Sequence, residues 1–159
     1  MATAATPNPR PALNQMHFDI DIDAPRDRVW RVLWDDETFR DWSSVFAEGS
    51  HAVSDWKEGS TVHFIDPGSN SGMQAVIEKS RPGEFISFRH EREIKDGQVQ
   101  PPAEWAGAHE NYALTERNGR THLKIDLDAA DEHREMFEDK FPKALRRIKT
   151  LSESARGAL

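Results

Sequence analysis

A histidine and a glutamate on apolar strand faces are the residues of this sequence best suited to chemistry. Alternating apolar and polar side chains predict a β-strand around each of them. His90 continues the apolar face of Phe88, and Glu110 shares the face of Tyr112. A carboxyl group buried beside an imidazole, with its pKa raised, is suited to general acid–base catalysis. The alternative is that both lie at strand ends near the rim, wet or paired with each other for structural reasons.

Other kinds of catalysis find little support. The chain has no cysteine, which excludes thiol nucleophiles, disulfides and thiolate metal sites. No pair of the other histidines has a recognised metal-ligand spacing, and His109-Glu110 is not part of an HExxH motif. No GxSxG elbow is present to position a serine nucleophile. We therefore expect neither a metal nor a cofactor.

A strand and two short helices precede this region. Residues 17–22 alternate in polarity, which predicts a half-buried strand, and Asp23 with Pro25 predicts the start of a helix. A second short helix is expected at about residues 36–42. Large aromatic side chains are concentrated here, and we expect them to fill the space between the two helices and the edge of the sheet; they are Trp30 and Trp42, with Trp34 able to reach the mouth of a cavity.

Six more strands and a long helix complete the predicted fold. The strands are expected at residues 50–56, 60–66, 72–79, 84–92, 108–117 and 120–128. Asn118-Gly119 is the strongest hairpin turn, and residues 94–109 are read as a long polar connection that carries Trp105. The helix is expected from Asp131 to about Ala155, with a kink or break at Pro142. Seven antiparallel strands with helices on one side form an α+β fold.

Composition and net charge disfavour some classes of binding partner. The chain has 159 residues and a formal charge of −7, which disfavours nucleic acid and anionic membranes. Its basic cluster at 143–149 is expected on the solvated side of the long helix. No apolar run is long enough to cross a membrane, and residues 1–14 read as a disordered tail rather than a secretory signal. We therefore expect a cytoplasmic protein with one domain at residues 15–155.

The order of these segments resembles a known superfamily. The segments that carry the likeness are IDIDAPRDRVWRVLWD, Trp42, WKEGSTVHF, VIEKSRPGEFISF, ENYALTERNGRTHLKI and FPKALRRIKTLSE. Together they resemble the START-like (SRPBCC) superfamily, and within it the polyketide cyclase and chaperone-ATPase-activator-like branch. The resemblance implies a helix-grip fold, in which a curved antiparallel sheet grips the C-terminal helix around an apolar cavity.

With a cavity implied, the phase of the strands and of the long helix predicts its walls. We expect a ligand to contact aromatic and aliphatic residues on both sides, namely Trp56, Phe64, Phe88, Tyr112, Ile125, Phe137, Phe141 and Leu145. The long-helix members are equally expected in ordinary core packing, because core and ligand wall are one surface in this fold.

Three functions follow from the resemblance and the residues. The first is binding of a small apolar molecule, such as a lipid, an aromatic compound or a polyketide-like compound. The second is a cyclase or aromatase in which Glu110 and His90 act on a bound carbonyl compound, so the sequence leaves open whether the protein is an enzyme. The third is interaction with the ninety-kilodalton heat-shock chaperone. We expect one domain here, without the separate N-terminal domain that the full activator uses for docking.

Overall fold

A computed structural model describes residues 13–154 and shows one mixed α+β unit. Three helices and eight strands follow one another along the chain: β1 (Leu13–Ile22), α1 (Arg26–Trp34), α2 (Asp36–Ser43), β2 (His51–Val53), β3 (Thr61–Asp66), β4 (Ser71–Arg81), β5 (Phe85–Lys95), β6 (Gln98–Pro102), β7 (Ala108–Arg117), β8 (Arg120–Ala130) and α3 (Asp131–Glu153).

All the strands belong to one antiparallel sheet. Its order is β1-β8-β7-β5-β4-β3-β2, and β6 lies off this path, paired with β5 alone. β1 shows why the strands form, since Met16 and Ile22 are buried whereas His17, Asp19 and Asp21 on the other face are exposed. One face of the sheet therefore packs on the helices and the other meets solvent.

The tight turn between β7 and β8 was correctly predicted. Arg117 pairs with Arg120, so Asn118 and Gly119 are the two residues of the loop. Their φ angles are 53° and 75°, and a type I′ turn requires positive φ at both positions. The same geometry explains why an Asn-Gly pair occurs here, since asparagine and glycine tolerate this conformation best.

Two strand predictions need correction. The sheet has eight strands rather than seven, because residues 98–102, predicted as part of a long connection, form β6. The sequence did not indicate this strand, because Pro101 and Pro102 are unusual inside strands. An edge strand tolerates proline, since one of its sides makes no ladder hydrogen bonds. β2 was predicted to reach residue 56 but ends at Val53. Trp56 adopts a φ of 63°, which a strand does not allow.

The start of α1 was predicted from Asp23, but that side chain does not cap the helix. The N-cap residue is Pro25, whose side chain makes no capping hydrogen bond, and the N–H of Arg26 donates to Glu116 on β7 at 2.8 Å. The backbone N–H of Asp23 instead donates to Glu153 in α3 at 2.7 Å. The buried hydroxyl of Thr121 donates to the carbonyl of Ala24 at 2.7 Å, which fixes the entry of α1 against β8.

α3 runs from Asp131 to Glu153, so Pro142 does not break the helix, and the kink predicted as the alternative stays a prediction. Its apolar side chains Phe141, Leu145 and Ile148 are buried, and such packing stabilises a helix more than local propensity does. Residues 13 and 14, which we assigned to a disordered tail, belong to β1 and pair with β8. The rest of the predicted tail and residues 155–159 lie outside the described residues.

Candidate functional site

A cavity of about 600 Å³ lies between the sheet and the helices. Its sheet wall comes from one end of the strands, where β3, β5 and β8 finish and β4 and β7 begin. Its helical wall comes from the first half of α3 and the ends of α1 and α2. The loop between β6 and β7 adds Trp105, so the long connection noted in the sequence does border the cavity.

Trp34 lines the cavity and lies at the centre of a cluster of aromatic rings. Its ring is 4.9 Å from that of Tyr112, 5.2 Å from that of Phe88 and 5.3 Å from that of Trp56, measured between centroids. The Trp42 ring stands edge-on to it, 6.4 Å away. Edge-to-face contacts of this kind add stability beyond the burial of area. Trp34 is thus packed among aromatic rings and also lines the cavity.

His90, Glu110 and Tyr112 form the polar part of the same wall. β5 and β7 are neighbouring strands. His90 lies on β5, and Glu110 and Tyr112 lie two residues apart on the same face of β7. His90 Nε2 and Glu110 Oε1 are 2.9 Å apart, and the Tyr112 hydroxyl donates a short hydrogen bond to Glu110 Oε2. His90 is only 6% exposed, and the Glu110 side chain keeps 22% of its surface. The predicted pair therefore exists, and it lies inside the fold.

The charge of Glu110 differs from the expectation. Burial acts to raise the pKa of Glu110, but the hydrogen bond and charge of His90 and the Tyr112 hydroxyl outweigh it, leaving this pKa below its ordinary value. Glu110 is thus a carboxylate at neutral pH, whereas a raised pKa had been predicted. Burial and the neighbouring carboxylate raise the pKa of Tyr112 well above its ordinary value, so the phenol keeps the proton that it donates.

Two nitrogen atoms of the wall have no hydrogen-bond partner within residues 13–154. They are the second ring nitrogen of His90, Nδ1, and the indole Nε1 of Trp34. Both atoms are buried, and both side chains line the cavity. A buried polar atom without a partner costs about 1–3 kcal/mol, so each is a candidate for a contact with a bound molecule.

The structure separates the predicted contact residues into two groups. Phe64, Tyr112, Phe137 and Phe141 line the cavity together with His90 and Glu110. Four others do not line it: Trp56, Phe88, Ile125 and Leu145 pack in the hydrophobic core behind or beside it. Strand phase identifies the inner face, but it does not tell how far along a strand the helices cover that face.

Several wall residues were missed. They include Ile94, Ala129, Met136 and Met73. Ala129 continues the alternation of β8 beyond Ile125, so the signal was present in the sequence. Met73 gave no such signal, because it flanks Gly72 at the start of β4 in a segment that reads as a turn.

The remaining histidines contact polar neighbours. His63 bonds to Gln74 at 2.9 Å, and His122 lies between Asp21 at 2.7 Å and Asp19 at 3.1 Å; both histidines lie on the solvent face as predicted. Within the described chain, no group of three or more histidine, cysteine or acidic residues is arranged to hold a metal ion. In the same part of the chain, no helix is long and apolar enough to cross a membrane.

A sheet that grips a long C-terminal helix around a cavity defines this protein as a helix-grip domain of the START-like (SRPBCC) superfamily. A family model matches residues 23–153, and the chain belongs to the family described as Activator of Hsp90 ATPase homolog 1-like protein. No curated protein matches it.

Solved structures share the fold at low sequence identity. The Aha1 dimer from Colwellia psychrerythraea is similar with a TM-score of 0.68 and 17% identity, over 88% of this chain and 96% of that one. CalU16 from Micromonospora echinospora is similar with a TM-score of 0.60 and 15% identity, over 92% of this chain and 80% of that one. DynU16, from the dynemicin biosynthetic locus, is similar with a TM-score of 0.65 and 15% identity. The match covers 88% of this chain and 47% of DynU16, so this chain spans about half of its length.

Proposed function

We propose that this protein binds a small, largely apolar molecule in the cavity between the sheet and α3. The observation that carries the proposal is the cavity itself. Its volume of about 600 Å³ lies within the range of roughly 300–1,000 Å³ found for ligand sites. The family and fold also fit a ligand-binding domain. The ligand classes that we consider are lipids, aromatic compounds and polyketide-like compounds.

The character of the wall supports an apolar ligand with few polar groups. Phe64, Phe137 and Phe141 present aromatic surface, and Met136 adds a flexible side chain that is partly exposed. His90, Glu110 and Tyr112 bring polar groups of this wall together in one hydrogen-bonded cluster. An apolar wall with a few convergent polar groups is the usual composition of a small-molecule site.

Intrinsic fluorescence tests the proposal, because Trp34, Trp42 and Trp105 line the cavity. Titration with fatty acids, sterols, flavonoids and aromatic polyketides is expected to give a saturable change in tryptophan emission for at least one class. The Trp105→Phe variant is the matched comparison, since it removes one wall reporter on a loop and leaves the packed core untouched. Emission that does not change with any class would count against a ligand site.

A second candidate function is proton transfer to and from a bound carbonyl compound, of the cyclase or aromatase type. It is favoured by the 2.9 Å contact between His90 and Glu110 in the cavity wall. In such a step His90 Nδ1 takes a proton from the carbon beside the carbonyl, and the C–H electron pair moves to form the enolate. Glu110 stabilises the imidazolium by accepting from Nε2–H, and the proton then returns to carbon.

Hydrogen–deuterium exchange tests this second candidate directly. Exchange of the α-protons of 2-tetralone in deuterated buffer, followed by proton NMR, is expected to be faster with the protein than without it. His90→Gln should abolish the acceleration, whereas His122→Gln on the solvent face should keep it. An exchange rate equal to that of buffer would argue for binding without this chemistry.

A further inference from the structure

Hydrogen bonds within the polar cluster, defined as His90, Glu110 and Tyr112, engage the Tyr112 hydroxyl and His90 Nε2. Tyr112 has one O–H, and it is given to Glu110 Oε2. Glu110 is ionised and has no proton to give. The imidazole of His90 faces Glu110 Oε1 with Nε2 at 2.9 Å, and a contact between nitrogen and carboxylate at this distance places the proton on Nε2.

What remains on Glu110 and Tyr112 is acceptor capacity, because the Tyr112 oxygen and both carboxylate oxygens keep lone pairs. His90 Nδ1 is buried and has no partner among the described residues. A ligand that presents only lone pairs to this cluster, such as an ether, ester or carboxylate, meets repulsion there.

The other carboxylates on the wall act in the same direction. Asp66, Glu93 and Asp128 line the cavity with Glu110, Lys95 supplies one positive charge, and His51, His109 and His133 also line the cavity. That ammonium is 3.1 Å from Glu93 and is therefore already paired. Four carboxylates facing one lysine disfavour an anionic ligand, because like charges in a region of low dielectric repel strongly.

We propose that the cavity selects an aromatic ligand that carries a hydroxyl or amino donor and no acidic group, and that it rejects fatty acids and other carboxylates. The inference rests on the proposed binding function and deepens it. The donor hydrogen meets the acceptors of the His90–Glu110–Tyr112 cluster, while the rings of Phe64, Phe137 and Phe141 contact the apolar body.

Four fluorescent probes of one shape test this selectivity. They are pyrene, pyrene-1-methanol, its methyl ether and pyrene-1-carboxylate, titrated at pH 8, where carboxylates are ionised and histidine side chains in water are neutral. We expect the alcohol to bind about tenfold more tightly than the ether, as one hydrogen bond to a charged group provides. The carboxylate should bind at least about tenfold more weakly than the alcohol.

Two variants connect the selectivity to the cluster. Glu110→Gln removes the charge and supplies an amide donor, so it should reduce both preferences to less than about threefold. His122→Gln alters a histidine on the solvent face and should leave both unchanged. Binding of unsubstituted pyrene serves as the check that the cavity of each variant is intact.

The outcomes separate the inference from the function on which it rests. If all four probes bind the wild-type protein alike, or if the carboxylate binds best, the selectivity is overturned while the binding function stands. Preferences that persist in Glu110→Gln overturn it as well. If none of the probes binds, the binding function fails and the inference fails with it.

Discussion

At the scale of single residues, Glu110 determines the polar end of the cavity. It accepts from Tyr112 and faces His90 at 2.9 Å, and these contacts outweigh its burial and hold its pKa below the ordinary value of 4.5. A carboxylate in this position orients the imidazole and keeps the phenol protonated. The cluster is therefore preorganised before any ligand enters.

Replacing Glu110 with glutamine should show how much the carboxylate stabilises the fold, through the pH dependence of the free energy of unfolding. Because the folded pKa is lowered, ionised Glu110 stabilises the fold above about pH 4.5, and this stabilisation is lost as the pH falls through the lowered pKa. We expect Glu110→Gln to reduce the free energy of unfolding by about 1–3 kcal/mol at pH 7, and by progressively less below pH 4.5. Urea denaturation over this pH range measures both.

Glu37→Gln is the control for that experiment, because Glu37 is exposed in the first turn of α2. It should change the stability by no more than about 0.5 kcal/mol at any pH in the range. A loss in Glu110→Gln that is the same at pH 7 and below pH 4.5 would show that the carboxylate charge does not stabilise the cluster.

The sequence predicted part of this site for a physical reason. Alternation along β5 and β7 placed His90, Glu110 and Tyr112 on the inner face, and the pairing of these strands brings them together. The sign of the pKa shift of Glu110 was not predictable, because it depends on whether hydrogen bonds or burial prevails. Trp34 was underestimated, since a helical pattern does not show which rings meet at a helix end.

At the scale of elements, the β3–β4 hairpin forms one edge of the cavity and depends on Gly72. A Cβ atom on Gly72 would lie 1.9 Å from the carbonyl oxygen of Phe64 and 3.2 Å from the Cα of Ile65. Both are backbone atoms, so a side chain could be accommodated only by moving the strands apart. Gly72 and Phe64 both line the cavity, and the wall would shift with them.

Gly72→Ala is therefore expected to destabilise the protein by about 1–3 kcal/mol, the usual cost of overpacking. Thermal or urea unfolding measures the loss. Gly68→Ala in the same hairpin is the matched control, because its Cβ would come no closer than 3.4 Å to the Asp66 side chain and its φ is not left-handed. Equal stability of the two variants would contradict the close approach of β3 and β4.

Element boundaries show where sequence patterns stop being informative. β7 has the predicted bounds of 108–117, because its alternation is strong and a turn residue flanks it on each side. β6 was missed because its five residues are polar or proline apart from Val99, and pairing with β5 alone stabilises it. The strand predicted at 50–56 cannot extend through Trp56, because Trp56 has a positive φ that its residue type does not indicate.

At the scale of the whole molecule, the charge of −7 is not offset by a free basic surface on the cluster at 143–149. Lys143 lies 3.1 Å from Asp139, Lys149 bonds to Glu153, and Arg147 forms a two-pronged pair with Asp41 on α2. Three of the four cations of the cluster are thus engaged by carboxylates of the same chain, and Arg146 is exposed without an ion pair among the described residues. Association with polyanions requires cations that are free to replace counterions.

We expect no retention on heparin and no binding to phosphatidylserine vesicles at physiological salt. Column retention and vesicle co-sedimentation measure this. Asp41→Asn with Asp139→Asn releases part of the basic cluster and should increase retention if pairing is the cause. Strong retention of the unmodified protein would contradict the prediction that it avoids nucleic acid and anionic membranes.

An interaction with the heat-shock chaperone stays a prediction from the family resemblance. The family description names an activator of the Hsp90 ATPase, and the similar structure from Colwellia psychrerythraea is called an Aha1 dimer. A pull-down with immobilised chaperone tests the interaction. Retention would give the domain a protein partner in addition to the cavity, whereas no retention would leave the cavity as its candidate site.

The central claim is that the cavity takes up a ligand, and a thermal-shift screen tests it most directly when the cavity is also filled by mutation. Ala129 is buried in the wall on β8, and Ala129→Leu fills part of the space. Ala113→Leu adds the same atoms on the opposite face of β7.

We predict a saturating rise in Tm with one ligand class for the wild-type protein and for Ala113→Leu, and a much smaller rise for Ala129→Leu. No rise with any class, or an equal rise in all three proteins, would contradict the claim.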